Sequence, residues 1–413
     1  MEASIDLLVN LNIPFVTEGV ARLIVLTIFA GMVGVGAPAM LIILTWMERK
    51  IIGRIQDRVG PNRAGPFGLL QAVADMIKMF TKEDITPTNA DRWVYNIAPG
   101  LSVLSAIMVF AVIPFAPGFA GTETNVGVLY IVAVGGLGTL AILMAGWSSN
   151  NKYSLLAAFR AVAMLLTYEI PMVMALVVVT VVTGSMSMVD IVEAQSGMWY
   201  VISLPVAFLL FFLSGLAEVG RSPFDLVEAE SEIIAGFHTE YSGMKFGMFM
   251  IGEYVHMLAL SFFTSILFFG GWQLPFIDLA AIPIIGPILG FITLMAKALF
   301  FVFVMMWFRG TLPRFRIDHL LDLGWKFMVP LSLALLIAVT VVVRFFSPGS
   351  GTIPPGPLYA LGPVGEIIAL LFVNLGVAAL AILIVSRTAR YSPSRTLRSV
   401  AAADPIHTSS LRS

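Results

Sequence analysis

Three ionisable side chains stand inside long apolar runs of this 413-residue chain: Glu169, Glu253 and Lys297. A charge at the centre of a bilayer costs roughly 2.5–3.5 kcal/mol on an insertion scale. Such residues therefore face a protein interior or a water path, pair with one another, and mark routes for ions or protons. Pro171, just after Glu169, leaves the Thr167 carbonyl without its helical donor, which invites water. His256 lies one turn from Glu253, on the same helical face. A Lys–Glu pair that merely holds helices together would account for some of this. Three charges in one small bundle favour a functional route.

A second feature is the segment 218–247. It holds Glu218, Asp225, Glu228, Glu230, Glu232 and Glu240 against only Arg221 and Lys245, a local net charge of −4. Asp225, Glu228 and Glu232 are spaced i, i+3, i+7 and so share one helical face. Phe224, Leu226, Val227, Ile233, Ile234 and Phe237 interrupt the acids. Carboxylates crowded beside apolar groups raise one another's pKa values and exchange protons as a coupled unit. A solvated helix face is the alternative, and the residues alone leave both open. Arginines form the third feature: Arg49, Arg54, Arg58 and Arg63 in one loop, Arg309, Arg314 and Arg316 in another. Topology signals and lipid-headgroup contacts explain most of them.

The elements that must position these residues are membrane helices. Hydrophobic residues make up 58% of the chain and charged ones 12%, against about 45–50% and about 25% in soluble domains. Apolar runs predict an all-α polytopic protein with nine transmembrane helices near 22–46, 99–118, 126–147, 160–183, 199–217, 247–270, 286–308, 326–345 and 364–386. With the N-terminus outside, 21 of the 24 basic residues fall on the cytoplasmic side, as the positive-inside rule requires. Glu2 and Asp6 stand where a cleaved signal peptide would carry basic residues. In the first cytoplasmic loop, Leu69, Leu70, Val73, Met76, Ile77 and Phe80 repeat at helical spacing, which predicts a short amphipathic helix in the membrane interface. The glycines of Gly31-Met-Val-Gly-Val-Gly36 and Val134-Gly-Gly-Leu-Gly138 lie within apolar helices, where close helix packing is the reading, not dinucleotide binding. The absence of Cys excludes disulfides and iron–sulfur clusters held by this chain. A net charge of −1 excludes a chain-wide nucleic-acid footprint.

Six motifs then carry a resemblance. They are Glu48-Arg-Lys-Ile-Ile-Gly-Arg-Ile-Gln-Asp-Arg-Val-Gly-Pro-Asn62, Gly146-Trp-Ser-Ser-Asn-Asn-Lys-Tyr-Ser154, Ala217-Glu-Val-Gly-Arg-Ser-Pro-Phe-Asp225, Glu228-Ala-Glu-Ser-Glu232, Gly236-Phe-His-Thr-Glu-Tyr-Ser-Gly243 and Arg309-Gly-Thr-Leu-Pro-Arg-Phe-Arg-Ile-Asp318. In order and spacing over about residues 15–345, the chain resembles the H subunit family of bacterial proton-pumping NADH:quinone oxidoreductase, respiratory complex I. The resemblance implies a membrane-arm subunit at the junction with the hydrophilic arm, with quinone as substrate. Flavin and iron–sulfur clusters are expected in partner subunits. Carried over by motif, Glu48, Arg49, Arg58, Glu253, Lys297, Arg309 and Arg314 match positions at or near the quinone channel. Glu169, Glu218, Asp225, Glu228, Glu230 and Glu232 match an acidic path from that channel to the pump. Two departures stand out: Val219-Gly220 replaces the Thr-Asn of many relatives, and Met164 takes a position that is often Gln.

The expected organisation is a core of eight transmembrane helices over 1–345, a Pro/Gly-rich external loop with a ninth helix over 346–386, and a basic cytoplasmic tail over 387–413. The expected setting is the bacterial plasma membrane, with the C-terminus cytoplasmic. Expected partners are the hydrophilic-arm quinone-site subunits, small membrane-arm subunits, lipid and quinone. A membrane subunit of a proton-pumping hydrogenase is the nearest rival. A stand-alone cation/proton transporter is a rival of another class, and the dense 47–97 and 218–247 loops argue against it.

Overall fold

The computed structural model describes residues 18–122, 124–225, 235–274, 285–347, 357–358 and 362–391. Eight of its helices are long and apolar enough to cross a membrane, and a ninth, shorter apolar helix spans Pro205–Glu218. The helices are α1 (Glu18–Ile55), α2 (Leu70–Thr81), α3 (Arg92–Met108), α4 (Gly127–Ser148), α5 (Lys152–Thr183), α6 (Met188–Glu193), α7 (Tyr200–Ser203), α8 (Pro205–Glu218), α9 (Gly243–Phe268), α10 (Ile285–Thr311), α11 (Ile317–Asp322), α12 (Val329–Phe346) and α13 (Gly362–Tyr391). The all-α expectation holds apart from one small hairpin, β1 (Pro114–Ala116) and β2 (Phe119–Ala120), paired antiparallel. Its turn is Pro117-Gly118 with φ of 70° at the glycine, the proline-then-glycine order of a tight turn.

Differences from the expected spans have local causes. The second span begins at Arg92 and turns into a 3-10 segment, Val109–Val112, before the prolines of the hairpin. The fifth is broken in two, because Pro205 has no N–H to continue the turn from Ser203. What remains, 14 residues, rises only about 21 Å. The eighth starts early, at Ile317, and passes through a π-helical turn, Leu323–Met328. Such turns insert an extra residue into the ladder. Gly324 in that turn sits against Thr167, and the Trp325 indole donates to Thr167 Oγ1 at 3.1 Å. The turn therefore packs on α5 one helical turn before Pro171.

The helix α9 is the axis of the bundle, with 78% of its apolar window buried. It packs against α1, α2, α3, α8 and α10. The helix α13 is peripheral, with 11% buried, and lies against α12, α7 and α8. The interfacial helix is present as α2. Leu70, Ile77 and Phe80 are 51%, 58% and 64% exposed, so its apolar series is not consumed by the chain's own core, as a helix lying in a membrane interface requires.

Candidate functional site

At the end of the bundle that carries the long loops, α8 stops in a Schellman turn. Gly220 has φ of 70°, its N–H donates to the Ala217 carbonyl, and the Arg221 N–H donates to the Leu216 carbonyl. That turn drives Arg221 into the core, 2% exposed. Its Nη1 donates to both Glu48 carboxylate oxygens at 3.1 Å. Its Nε lies 2.9 Å from Glu253 Oε1, an ion contact whose angle is not that of a hydrogen bond. The guanidinium carbon lies 4.4 Å from the centre of the Tyr254 ring, within cation–π range. Arg309, near the end of α10, pairs with Glu48 as well. Two acids and two bases thus form a charge-balanced group drawn from α1, the α8 turn, α9 and α10. Burial alone would lower the Arg221 pKa, but the Glu253 and Glu48 charges more than offset it and hold it above its ordinary value. Next to this group, Arg314 Nη2 lies 2.8 Å from Asp225 Oδ2. The backbone joins the two loops as well, with Phe315 N–H donating to the Pro223 carbonyl.

Three cavities lie near the group, the first bordering Glu253 and the third its neighbour Tyr254. The first, of about 100 Å³, is lined by Ser102, Gly138, Glu218, Glu253 and His256 among others. The second, about 40 Å³, is lined by Glu169, Met172, Glu218 and His256 among others. They adjoin, because Gly135, Glu218, Val219 and His256 line both. A cavity of about 10–15 Å³ already holds a water, so both have room for water among polar groups. The glycines of α4 create this space. A Cβ on Gly135 would lie 3.3 Å from Glu218 Oε1, and one on Gly138 3.5 Å from His256 Nε2. Those glycines serve polar side chains, which their sequence reading as helix packing did not foresee. The third cavity, about 270 Å³, lies between α1, α2 and α9. Leu41, Met76, Met79, Met244 and Tyr254 help line it, with Arg49 and Asp75 at its wall.

The sequence-picked residues divide. Glu48, Glu253, Arg309, Arg314 and Asp225 come together around Arg221 or beside it. Glu169 and Glu218 line the paired cavities. Asp225, grouped with the acidic path, is instead the partner of Arg314, grouped with the channel. Arg49 pairs with Asp75 at 2.6 Å, clamping α2 onto the end of α1. Arg58 is exposed and donates to Gln56 Oε1 at 2.7 Å. Lys297 stands apart. Its ammonium donates to the carbonyls of Phe269, Gly271 and Gln273 at 2.7, 2.9 and 2.6 Å. It thereby caps the far end of α9, twelve residues and about 18 Å along α10 from Arg309. The alternative of a Lys–Glu pair holding helices together does not apply to Lys297, whose ammonium is held by backbone carbonyls. Glu228, Glu230 and Glu232 lie outside the described residues. Glu240 is engaged by Asn151 Nδ2 at 2.7 Å.

Sequence reasoning missed Arg221 as the hub and Tyr254 as its stacking partner. Arg221 was visible only as the base within an acidic segment. Charged and aromatic groups at the loop-bearing end of the bundle settle that face. Burial would raise the Asp75 carboxyl, but the Arg49 and Lys78 charges more than offset it and leave it below the usual range. Burial pushes His238 down to about 4 and Tyr241 up to about 12. Both therefore stay neutral at pH 7, as parts of an aromatic cluster with Phe237, Phe246 and Phe249. Among the described residues, no group of three or more His, Asp or Glu is placed to hold a metal ion.

A bundle of spanning helices that buries a balanced charge group and acid-lined cavities defines a polytopic membrane protein built around a polar interior. The comparisons then give the family. Residues 27–340 match the family model described as NADH dehydrogenase. The chain is 50% identical over 296 residues to the H subunit of NADH-quinone oxidoreductase from each of two strains of Dehalococcoides mccartyi, covering 72% of this chain and 80% of each relative. The chain belongs to the NADH dehydrogenase family.

Proposed function

We propose that this chain is the membrane-embedded H subunit of an NADH-quinone oxidoreductase, that it forms the quinone-binding channel, and that it links quinone reduction to proton translocation. The observation that carries this reading is the division of labour between adjacent residues on α9. Tyr254 lines the 270 Å³ cavity, Glu253 lines the first polar cavity, and both meet Arg221. The 270 Å³ cavity, apolar and rich in methionine, suits a flexible isoprenoid tail, since Met adapts to irregular apolar shapes. Quinone reduction takes up protons as well as electrons. A charge-balanced group beside the channel couples electrostatically to the acids beyond it, because low-dielectric surroundings strengthen such interactions.

In this reading Glu48, Arg49, Arg58, Glu253, Arg309 and Arg314 serve the channel, and Lys297 serves it only through the end of α9. Glu169, Glu218, Glu228, Glu230 and Glu232 carry protons, with Asp225 held by Arg314. Electrons come from flavin and iron–sulfur clusters in partner subunits, since this chain has no Cys. The same reading keeps residues 1–345 as the core and places the loop-rich end on the cytoplasmic side of a bacterial plasma membrane. Cysteines at the exposed Thr88 and Thr122 should then label from opposite sides, Thr88 from the cytoplasm. The channel is tested by filling it. Met79→Trp should raise the KM for a long-tailed quinone roughly tenfold while NADH oxidation with a flavin-level acceptor persists. An unchanged KM in an assembled Met79→Trp complex would move the quinone elsewhere.

A further inference from the structure

We propose that His256 is a second proton carrier, standing beside Glu218 at the waist between the two polar cavities. This rests on the reading of those cavities as a proton path. Glu253 lines only the first cavity and Glu169 only the second. Of the ionisable side chains, Glu218 and His256 line both. A proton passing from one cavity to the other crosses at this shared wall, where these two are the ionisable side chains. They come from different helices, α8 and α9, and each lines both cavities, so in this proposal they act as parallel carriers.

The imidazole is suited to the position. Among the described residues its ring makes no hydrogen bond and no ion pair, so neither nitrogen is tied to a structural partner. Nε2 faces the gap left by Gly138, where Ser105 Oγ is also at hand. A methyl group at Gly138 would touch both. An imidazole can take a proton at one nitrogen and release another from the second. As an N–H bond forms at the receiving nitrogen, the donor's O–H breaks. As the N–H on the other nitrogen breaks, an O–H forms on the acceptor. No electrons are transferred, and rotation of the ring resets it. Every element around the ring is accounted for. Glu253 faces the cavities from α9 itself, Glu218 from α8 and Glu169 from α5. The α3 and α4 walls offer only neutral groups there, including Ser102, Ser105 and Thr139. Three carboxylates and no described cation line these two cavities, so the ring has acids on either side of it to take a proton from and to give one to.

The experiment uses the complete enzyme in sealed vesicles, measuring quinone reduction and proton uptake against pH. His256→Gln and His256→Asn keep a polar side chain and remove the two-nitrogen relay. Glu218→Gln, alone and with His256→Gln, tests the parallel arrangement. Each His256 variant should slow coupled turnover several-fold and change the shape of the pH profile, whereas a packing defect scales it uniformly. The double variant should fall on the order of tenfold below Glu218→Gln. This is less than the roughly hundredfold typical of a proton transfer at a reacting bond, because the cavities still hold other carriers. NADH oxidation with a flavin-level acceptor reports assembly. If Glu218→Gln and Glu169→Gln are impaired but His256→Gln and His256→Asn match wild type in rate and profile, and the double variant matches Glu218→Gln alone, the carrier role is wrong and the path stands. If none of the variants is impaired, the path itself is wrong. Should His256→Gln fail to assemble, His256→Asn decides by the same criteria.

Discussion

Around Arg221, each described charge touches an opposite one: Glu48, Glu253 and Arg309 close one group, and Arg314 holds Asp225 beside it. One helical turn further along α9, the ionisable groups Glu218, His256 and Glu169 have neither an ion pair nor a hydrogen bond among the described residues. They face cavities instead. The pairing fixes where helices meet, because a buried charge without its partner is costly. The unpaired groups are the ones assigned to the proposed proton path. Glu253 belongs to both regions: it contacts Arg221 and lines the first cavity.

The largest effect should come from breaking the paired region. Arg221→Gln leaves the buried Glu48 and Glu253 without their shared cation. Loss of one partner from a buried pair costs about 3–5 kcal/mol. The amount of assembled complex and its thermal stability should both fall, and near-normal assembly would show that Arg309 alone satisfies Glu48. Next comes Lys297→Met, which removes three charge-assisted bonds at the far end of α9. The net loss is about 1.5–3 kcal/mol in all, because removing the ammonium also removes the cost of burying it. Thermal stability should drop while the quinone KM stays put. A selective rise in KM would return Lys297 to the channel. Arg314→Lys is milder, since Arg314 is partly exposed. Lys cannot reproduce the planar, multi-donor fork, so quinone reductase activity should fall several-fold while NADH oxidation with a flavin-level acceptor persists. Equal loss of both would mean failed assembly.

The smallest effect belongs to the surface clamp. The Arg49–Asp75 pair is exposed on the Arg49 side, and exposed pairs contribute about 0.2–1 kcal/mol. Because the folded Asp75 pKa lies below its ordinary value, its contribution is present above about pH 4. It is lost as pH falls through the folded value. Asp75→Asn should therefore lower stability slightly at pH 7 and not at strongly acid pH. A large loss at pH 7 would make this clamp part of the buried architecture.

Much of the fold was legible in the chain. Long charge-free runs gave the spanning helices, and the period of Leu70, Met76, Ile77 and Phe80 gave α2. The break at Pro205 was marked by the proline itself but masked by the apolar run that continues through it, and the π-helical turn after Asp322 was not legible, because it depends on how Gly324 and Trp325 pack against Thr167. At the site, the acids were found by their cost in an apolar run. Their partners were not, since Arg221 and Glu48 are 173 residues apart and nothing local links them. Lys297 misled for a related reason. A buried ammonium needs acceptors, and backbone carbonyls at a helix end serve as well as a carboxylate, with no trace in the sequence.

The central claim, that the unpaired acids carry the protons of quinone reduction, is met most directly at Glu169. It sits at the far end of the paired cavities from Glu253 and belongs to no ion pair among the described residues. Glu169→Gln keeps its size and removes only its titration. With the complete enzyme in sealed vesicles and assembly checked by NADH oxidation with a flavin-level acceptor, proton uptake and quinone reduction should fall together. If the assembled Glu169→Gln enzyme reduces quinone and takes up protons at wild-type rates, the acids lining these cavities are structural and the coupling runs elsewhere.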